Sequence, residues 1–259
     1  MNDDPPPVRR IAITLDAFAL SAHALEQAVR LAERMNAQLE GIFIEDIDLI
    51  QIAELPFLRE VRSSSRSEDA ISPGRMEQEL RALARRAERL LSEHAARHNV
   101  TWTFRTWRGS IDTDLLAADI EADVFALTRL GAALTRSRIL PARCTAVSVL
   151  FTGTEASIRA LDTAISLSTD PQRQLNILLS AADEAGRDQL QQQVSERLGE
   201  QAEKAHFIHL HDGSIADLLD ILSDTHSAVL IMERNSKLLQ SATLRQSLNS
   251  LDCPLLIVR

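Results

Sequence analysis

The stretch RGSIDTDLL, at residues 108–116, recurs as DGSIADLL at residues 212–219, and this repetition decides the fold. Three further segments recur in the same order along the chain. They are ALEQA (24–28) with ALDTA (160–164), ADVFAL (122–127) with SAVLIM (227–232), and ARCTAVSVL (142–150) with LDCPLLIV (251–258). An internal duplication of this kind repeats one structural unit, so we expect two similar domains.

The composition bounds the classes of protein that need to be considered. At 259 residues, of which 45% are apolar, the chain is long enough to build two cores. Its formal net charge of -9 argues against a nucleic-acid partner, because phosphate binding depends on a basic surface. No apolar run approaches the ~20 residues of a membrane-spanning helix, and the N-terminal residues lack a signal-peptide pattern. We therefore expect a cytoplasmic protein with no membrane partner, in which Cys144 and Cys253 are packed thiols.

Strand and helix patterns alternate along both repeats, which is typical of a parallel sheet covered by helices. The first repeat predicts strands at 11–15, 38–44, 100–106 and 123–128, with helices at 21–34 and 74–99 and a helix that starts at 109. The second repeat predicts strands at 146–151, 174–180, 206–210, 228–232 and 254–258, with helices at 155–168, 187–204, 214–224 and 240–250. The two repeats thus carry the same kind of unit.

We divide the chain into a disordered tail at 1–8, a first domain at 9–144 and a second domain at 145–259. The strand at 146–151 leads directly into the second domain, so the first domain lacks an obvious fifth strand. Either that strand was lost, or residues 138–140 supply a vestigial one.

The first repeat also contains an insert. Ala24 and Ala160 are 136 positions apart, whereas Gly109 and Gly213 are 104 apart, so the first repeat holds about 32 extra residues. They lie within 45–73, where we expect a short helix followed by a flexible loop. The apolar stretch LIQIAELPFL suits a lid over a crevice, an oligomer contact or packing into the core.

Both repeats resemble domains of the universal stress protein family. The most telling pieces are ITLDAFALSAHALEQAVRLA (13–32) and DCPLLIVR (252–259), and the order of the elements adds to them. The resemblance spans about residues 9–259 and implies an α/β fold of two tandem flavodoxin-like or Rossmann-like domains with parallel sheets. Because members of the family often pair through their last strands, it also implies that the two domains pack as an internal pseudo-dimer.

Many members of this family bind ATP above the strand ends, through a loop of Gly, two residues, Gly, nine residues, Gly, and Ser or Thr. In this chain the four positions are Thr128, Gly131, Pro141 and Ala142 in the first repeat, and Glu233, Ser236, Gln246 and Ser247 in the second. Each repeat therefore keeps one of the four positions, and the site is degenerate in both.

The resemblance assigns any bound nucleotide to the first repeat. Glu233 would put a carboxylate where the triphosphate lies, and like charges at ~4 Å repel by ~1 kcal/mol in water and by several in a crevice. Asp16 stands where the family faces the adenosine, whereas Thr152 replaces it in the second repeat. Asp16, Thr128 and Gly131 are thus candidate nucleotide contacts. A plain polar strand end is the alternative for Asp16.

Histidines form the densest set of candidate metal ligands. In a strand, His209 and His211 would point to one face, where neutral imidazoles can bind zinc or another divalent ion. Their loose spacing favours the alternative, in which they are solvated or hydrogen-bonded histidines at a strand end.

Motifs for catalysis are absent from the sequence, which contains no GxxxxGK[ST], GxGxxG, GxSxG or HExxH. We therefore expect a stress-response or regulatory binding protein that is not an enzyme and needs no cofactor. An ATP-binding switch or weak ATPase in the first repeat and a metal-binding module in the second are the alternatives. For partners we expect the internal pseudo-dimer, with a homodimer and an unidentified protein partner left open.

Overall fold

The computed structural model describes eleven stretches of the chain. They are residues 10–15, 22–55, 59–61, 68–70, 72–109, 121–127, 146–169, 173–181, 183–210, 214–240 and 253–259. Several residues and ranges named above lie outside these stretches: Asp16, Thr128, Gly131, Pro141, Ala142, Cys144, His211, Gln246, Ser247, the tail at 1–8, residues 138–140, and all but the first residue of the helix expected at 240–250. We call residues 10–127 the first half and residues 146–259 the second half.

Strands and helices alternate in both halves. The strands are β1 (Arg10–Leu15), β2 (Gln38–Asp46), β3 (Arg59–Val61), β4 (Glu68–Ala70), β5 (Trp102–Gly109), β6 (Val124–Leu127), β7 (Ala146–Phe151), β8 (Leu175–Leu179), β9 (Ala205–His209), β10 (Ser227–Glu233) and β11 (Leu255–Val258). The helices are α1 (Ala22–Arg34), α2 (Ile47–Ile52), α3 (Pro73–Arg97), α4 (Glu155–Leu167), α5 (Glu184–Leu198), α6 (Ile215–Asp224) and α7 (Lys237–Gln240), and the 3-10 helix Gly199–Lys204 follows α5.

Three elements differ from the sequence expectation. Gly109, expected at a helix start, is the last residue of β5, where it pairs with Asp46 of β2 and lies under the ring of Trp107. The body of that helix, expected at 115–120, lies outside the described residues. The expected loop of the insert contains the antiparallel pair β3 and β4. Helix α5 begins earlier than expected because the Asp183 side chain accepts the Gly186 backbone N–H at 2.8 Å, which caps the helix.

Nine strands form one continuous sheet in the order β5-β2-β1-β6-β11-β10-β7-β8-β9. All neighbours are parallel except β6 and β11, which are antiparallel. The predicted α/β class with a mostly parallel sheet is confirmed. The two sheets expected from the repeats are joined into one, and the predicted domain boundary at 144/145 stays a prediction.

The junction between the halves is the antiparallel pair of β6 and β11. Leu127 lies opposite Leu255 and Val124 lies opposite Val258, while the Arg259 backbone N–H donates to the Asp123 carbonyl at 2.9 Å. β11 therefore occupies the edge of β6 at which a fifth strand of the first half would lie. The strand at 146–151 is β7, which pairs with β8 and β10 and so belongs to the second half.

The core lies on both faces of this sheet. On one face α1, α3, α4 and α5 pack against the strands, and on the other face α6 and α7 do so. Gly41 shows how closely the first layer packs, because a Cβ there would lie 2.5 Å from Leu91 Cδ2 and 3.0 Å from Phe104 Cδ2. Glycine is thus required for α3 and β5 to approach β2. Cys253 is buried, as expected.

Candidate functional site

Each half has a point where the strand order reverses, at β1 in the first half and at β7 in the second. In open α/β sheets, ligands bind beyond the carboxyl ends of the strands at such points. We call the space beyond β1 and β6 the first crevice and the space beyond β7 and β10 the second crevice. Because β6 and β11 are antiparallel, the two crevices face opposite edges of the sheet.

The candidate contacts of the first crevice, Asp16, Thr128 and Gly131, lie outside the described residues. The strands that precede them are neighbours, since Ile13 pairs with Ala126. The Thr14 hydroxyl also donates to the Ala126 carbonyl at 3.2 Å. β1 and β6 therefore end side by side, one residue before Asp16 and Thr128 respectively.

The second crevice is closed by a hydrogen-bond network around Glu233, the last residue of β10. Thr152, which follows β7, donates its hydroxyl to Glu233 Oε1 at 2.7 Å. Thr154 donates its hydroxyl to Glu233 Oε2. Each carboxylate oxygen thus receives one hydroxyl from the loop between β7 and α4.

Glu233 is 4% exposed, so its carboxylate is almost completely withdrawn from solvent. Thr154 is the N-cap of α4, and its hydroxyl accepts the Ser157 backbone N–H at 3.0 Å while it donates to Glu233. A negative charge beside the first turn of a helix is stabilised by the helix dipole. Hydroxyls and helix therefore stabilise the buried charge together.

The loop that carries the two threonines depends on Gly153. Its φ of 81° lies in the left-handed region, which favours glycine. A Cβ at this position would lie 2.6 Å from Leu190 Cδ2 of α5. Gly153 thus lets the loop turn tightly under α5 and brings both hydroxyls to Glu233.

Ser236, which the family resemblance aligns with the second position of the phosphate loop, is 3% exposed. Its backbone N–H donates to the Glu233 carbonyl at 3.2 Å, in the turn after β10. The Arg234 backbone N–H donates to the Val258 carbonyl at 2.8 Å, which ties the same turn to β11. Two backbone N–H groups of the turn after β10 are therefore engaged within the protein.

The histidines of the second half are only partly described. His209 ends β9, and its buried Nδ1 has no hydrogen-bond partner, whereas His206 is exposed and lies on the opposite face of the strand. His211, the expected companion of His209, is outside the described stretches. Within those stretches, no group of three or more His, Cys, Asp or Glu side chains is arranged to hold a metal ion.

The insert presents apolar side chains at the surface. α2 is capped by Asp46, whose side chain accepts the Asp48 backbone N–H at 3.0 Å. Ile47, Ile52 and Leu55 are 36%, 47% and 42% exposed, and they are the exposed large hydrophobic residues of the described chain. This part of the insert does not pack into the core, although Ala53 is buried.

Sequence reasoning found Glu233 and Thr152 separately but did not predict that they bond, and it missed Thr154. The signal for Thr154 was present, because threonine is one of the residues preferred at an N-cap and the acidic Glu155 follows it in the first turn. The partner of its hydroxyl, 79 residues away in the chain, has no local signal.

No protein-family model matches the chain, and no curated protein does. Among solved structures, a universal stress protein from Archaeoglobus fulgidus aligns with a TM-score of 0.54 and 10% identity, over 96% of each chain. A functionally unknown protein from Pseudomonas aeruginosa aligns with a TM-score of 0.49 and 13% identity, over 97% of this chain and 92% of its own. A universal stress protein family member from Burkholderia pseudomallei covers 44% of this chain and 96% of its own, at 15% identity and a TM-score of 0.34.

At 10% identity the likeness to the Archaeoglobus fulgidus protein is a likeness of fold, and it extends over nearly the whole of both chains. The predicted resemblance is confirmed at that level: this chain has the fold of a universal stress protein.

Proposed function

We propose that this chain is a stress-response regulatory binding protein without catalytic activity, and that its second half does not bind ATP. The observation that carries the proposal is the closed second crevice, in which Glu233 engages Thr152 and Thr154. The fold supports the stress-response part of the proposal. The tandem pseudo-dimer and the cytoplasmic location belong to the same proposal, and no helix in the described part of the chain has the length and apolarity to cross a membrane.

Electrostatics oppose a triphosphate in the second crevice. A phosphate ~4 Å from the Glu233 carboxylate would be repelled by ~1 kcal/mol in water and by ~4 kcal/mol at an effective dielectric constant of ~20. The nucleotide would also have to break the two hydroxyl bonds to a buried charge, each worth ~1.5–3 kcal/mol. Together these terms oppose binding, and the chain after β10 contains no glycine that would let its backbone approach a phosphate closely.

An ATP-binding switch in the first crevice, using Asp16, Thr128 and Gly131, is the second candidate. It is favoured by the adjacency of the β1 and β6 ends, which sets the first two of these residues one position beyond neighbouring strands. A metal-binding module at His209 and His211 is the third, and the unpartnered Nδ1 of His209 favours it.

Binding stoichiometry separates these functions. We expect equilibrium dialysis with ATP and Mg²⁺ to find at most one ATP per chain, and we expect no phosphate release. Binding of one ATP per chain in the wild type, with no binding in Asp16→Ala, would establish the switch in the first half. Two ATP per chain, or turnover, would refute the proposal. Metal analysis of the purified protein, with His209→Ala as the control, tests the third candidate.

A further inference from the structure

The carboxylate of Glu233 is bound in the way a protein binds a small anionic ligand. Two hydroxyl donors from one loop, Thr152 and Thr154, each take one of its oxygens, and the group is buried at 4% exposure. The donors come from the opposite side of the crevice, 79 and 81 residues away in the chain. The side chain thus reaches across from β10 to a cradle that belongs to β7 and α4.

We propose that Thr152 and Thr154 form a carboxylate-binding cradle that Glu233 fills as an internal ligand, so that the second crevice is held closed by its own chain. The cradle takes a small monocarboxylate once the Glu233 side chain is removed. This inference rests on the closed crevice of the proposed function but concerns what the crevice selects.

The cradle is matched to a carboxylate in number and placement of donors. It offers two hydroxyl protons to two oxygens, and the Thr154 hydroxyl is oriented by the Ser157 backbone N–H, which it accepts at 3.0 Å. A hydroxyl has one donor and two acceptor positions, so that of Thr154 can accept a backbone N–H and donate to a carboxylate at the same time. The two donors therefore fit a group that presents two oxygens, as a carboxylate does.

Glu233→Ala removes a defined group of atoms beside the two threonine hydroxyls. The substitution removes the Cγ methylene and the carboxylate but keeps Cβ, and acetate contains one methyl and one carboxylate. Acetate therefore supplies nearly the atoms that the substitution removes. A ligand that binds the folded state alone raises stability in proportion to the logarithm of its concentration above its Kd.

The test is a thermal-unfolding titration of Glu233→Ala with sodium acetate, with sodium chloride at equal ionic strength as the salt control. We expect acetate to raise the Tm of the variant by several degrees more than chloride does, and to have no such specific effect on the wild-type protein. Glu233→Gln, which fills the same volume, should show no rescue. Glu233→Ala combined with Thr152→Val should lose most of the rescue, because one donor is gone.

An equal response of variant and wild type, or equal effects of acetate and chloride, would overturn the proposal. If Glu233→Ala does not stay folded without acetate, the yield of refolding from urea in acetate against chloride gives the same comparison. Inorganic phosphate is the second probe, and rescue by phosphate equal to that by acetate would contradict the selection for a planar carboxylate. These outcomes are independent of ATP stoichiometry in the wild type, so either proposal can fail alone.

Discussion

Thr152→Ala and Thr154→Ala should destabilise the protein by different amounts, because the two hydroxyls make different numbers of hydrogen bonds. Thr152 donates to Glu233, and its loss removes a hydrogen bond to a charged group, worth ~1.5–3 kcal/mol. Thr154 donates to Glu233 and also caps α4 through the Ser157 N–H. Thr154→Ala therefore removes both the hydrogen bond to Glu233 and an N-cap worth ~1 kcal/mol. Its expected cost is ~2.5–4 kcal/mol.

A double-mutant cycle with Glu233→Ala isolates these contributions. Without the carboxylate, Thr152→Ala should cost nearly nothing, whereas Thr154→Ala should still cost the cap of ~1 kcal/mol. The measurement is the free energy of unfolding from urea titrations of the single and double variants. Thr152→Ser and Thr154→Ser are the matched controls, because they keep the hydroxyls and should remain close to the wild type.

The reasoning would be refuted if Thr152→Ala destabilised the protein equally with and without Glu233. Equal costs of the two threonine substitutions in the wild-type background would refute the separate capping role of Thr154. Since the couplings are measured as differences, a general loss of packing in the loop would appear in both backgrounds and cancel.

Three further substitutions test the packing and the insert. Gly41→Val should lower the free energy of unfolding by ~1–3 kcal/mol through overpacking. Adding Leu91→Ala to this variant should restore part of the lost stability, and a double variant no more stable than Gly41→Val would contradict the contact between the two residues. Gly153→Ala should lower the free energy of unfolding of the protein by more than ~1 kcal/mol, because the positive φ and the contact with Leu190 both oppose a Cβ. A Tm equal to that of the wild type would count against the turn described. Ile52→Ser, at 47% exposure, should leave the Tm nearly unchanged; if the insert is an oligomer contact, light scattering will show a smaller particle.

The elements of the fold were predictable because each has a local cause. Ala160 and Ala164 of the ALDTA segment are fully buried in α4, as its helical spacing implies. Strands β7 and β11 coincide with apolar runs that are buried along their whole length. Boundaries were less predictable where they depend on a distant partner, as at Gly109, which is drawn into β5 by its pairing with β2.

The site was predictable in part for the same reason. The position of Glu233 at a strand end follows from the apolar run before it, and its charge argues against a phosphate there without any structure. Its burial between two hydroxyls does not follow, because it needs the register of β7 against β10 and the tight turn at Gly153. The register shift between Ser227 and Val229 in β10 is a feature of that pairing that no sequence pattern indicates.

The shared strand β11 makes the two halves of the sheet unequal. A parallel fifth strand of the first half would have to lie on the edge of β6 that β1 leaves free, and β11 occupies that edge with four paired residues. The second half therefore supplies the strand that completes both halves. Asp123 connects β11 and β1, because its carbonyl accepts the Arg259 backbone N–H and its side chain accepts the Arg10 backbone N–H. β11 is parallel to β10 but antiparallel to β6, so it continues the parallel sheet of the second half and reverses the strand direction at the first half. This reversal sets the first crevice and the crevice at Glu233 at opposite ends of the strands.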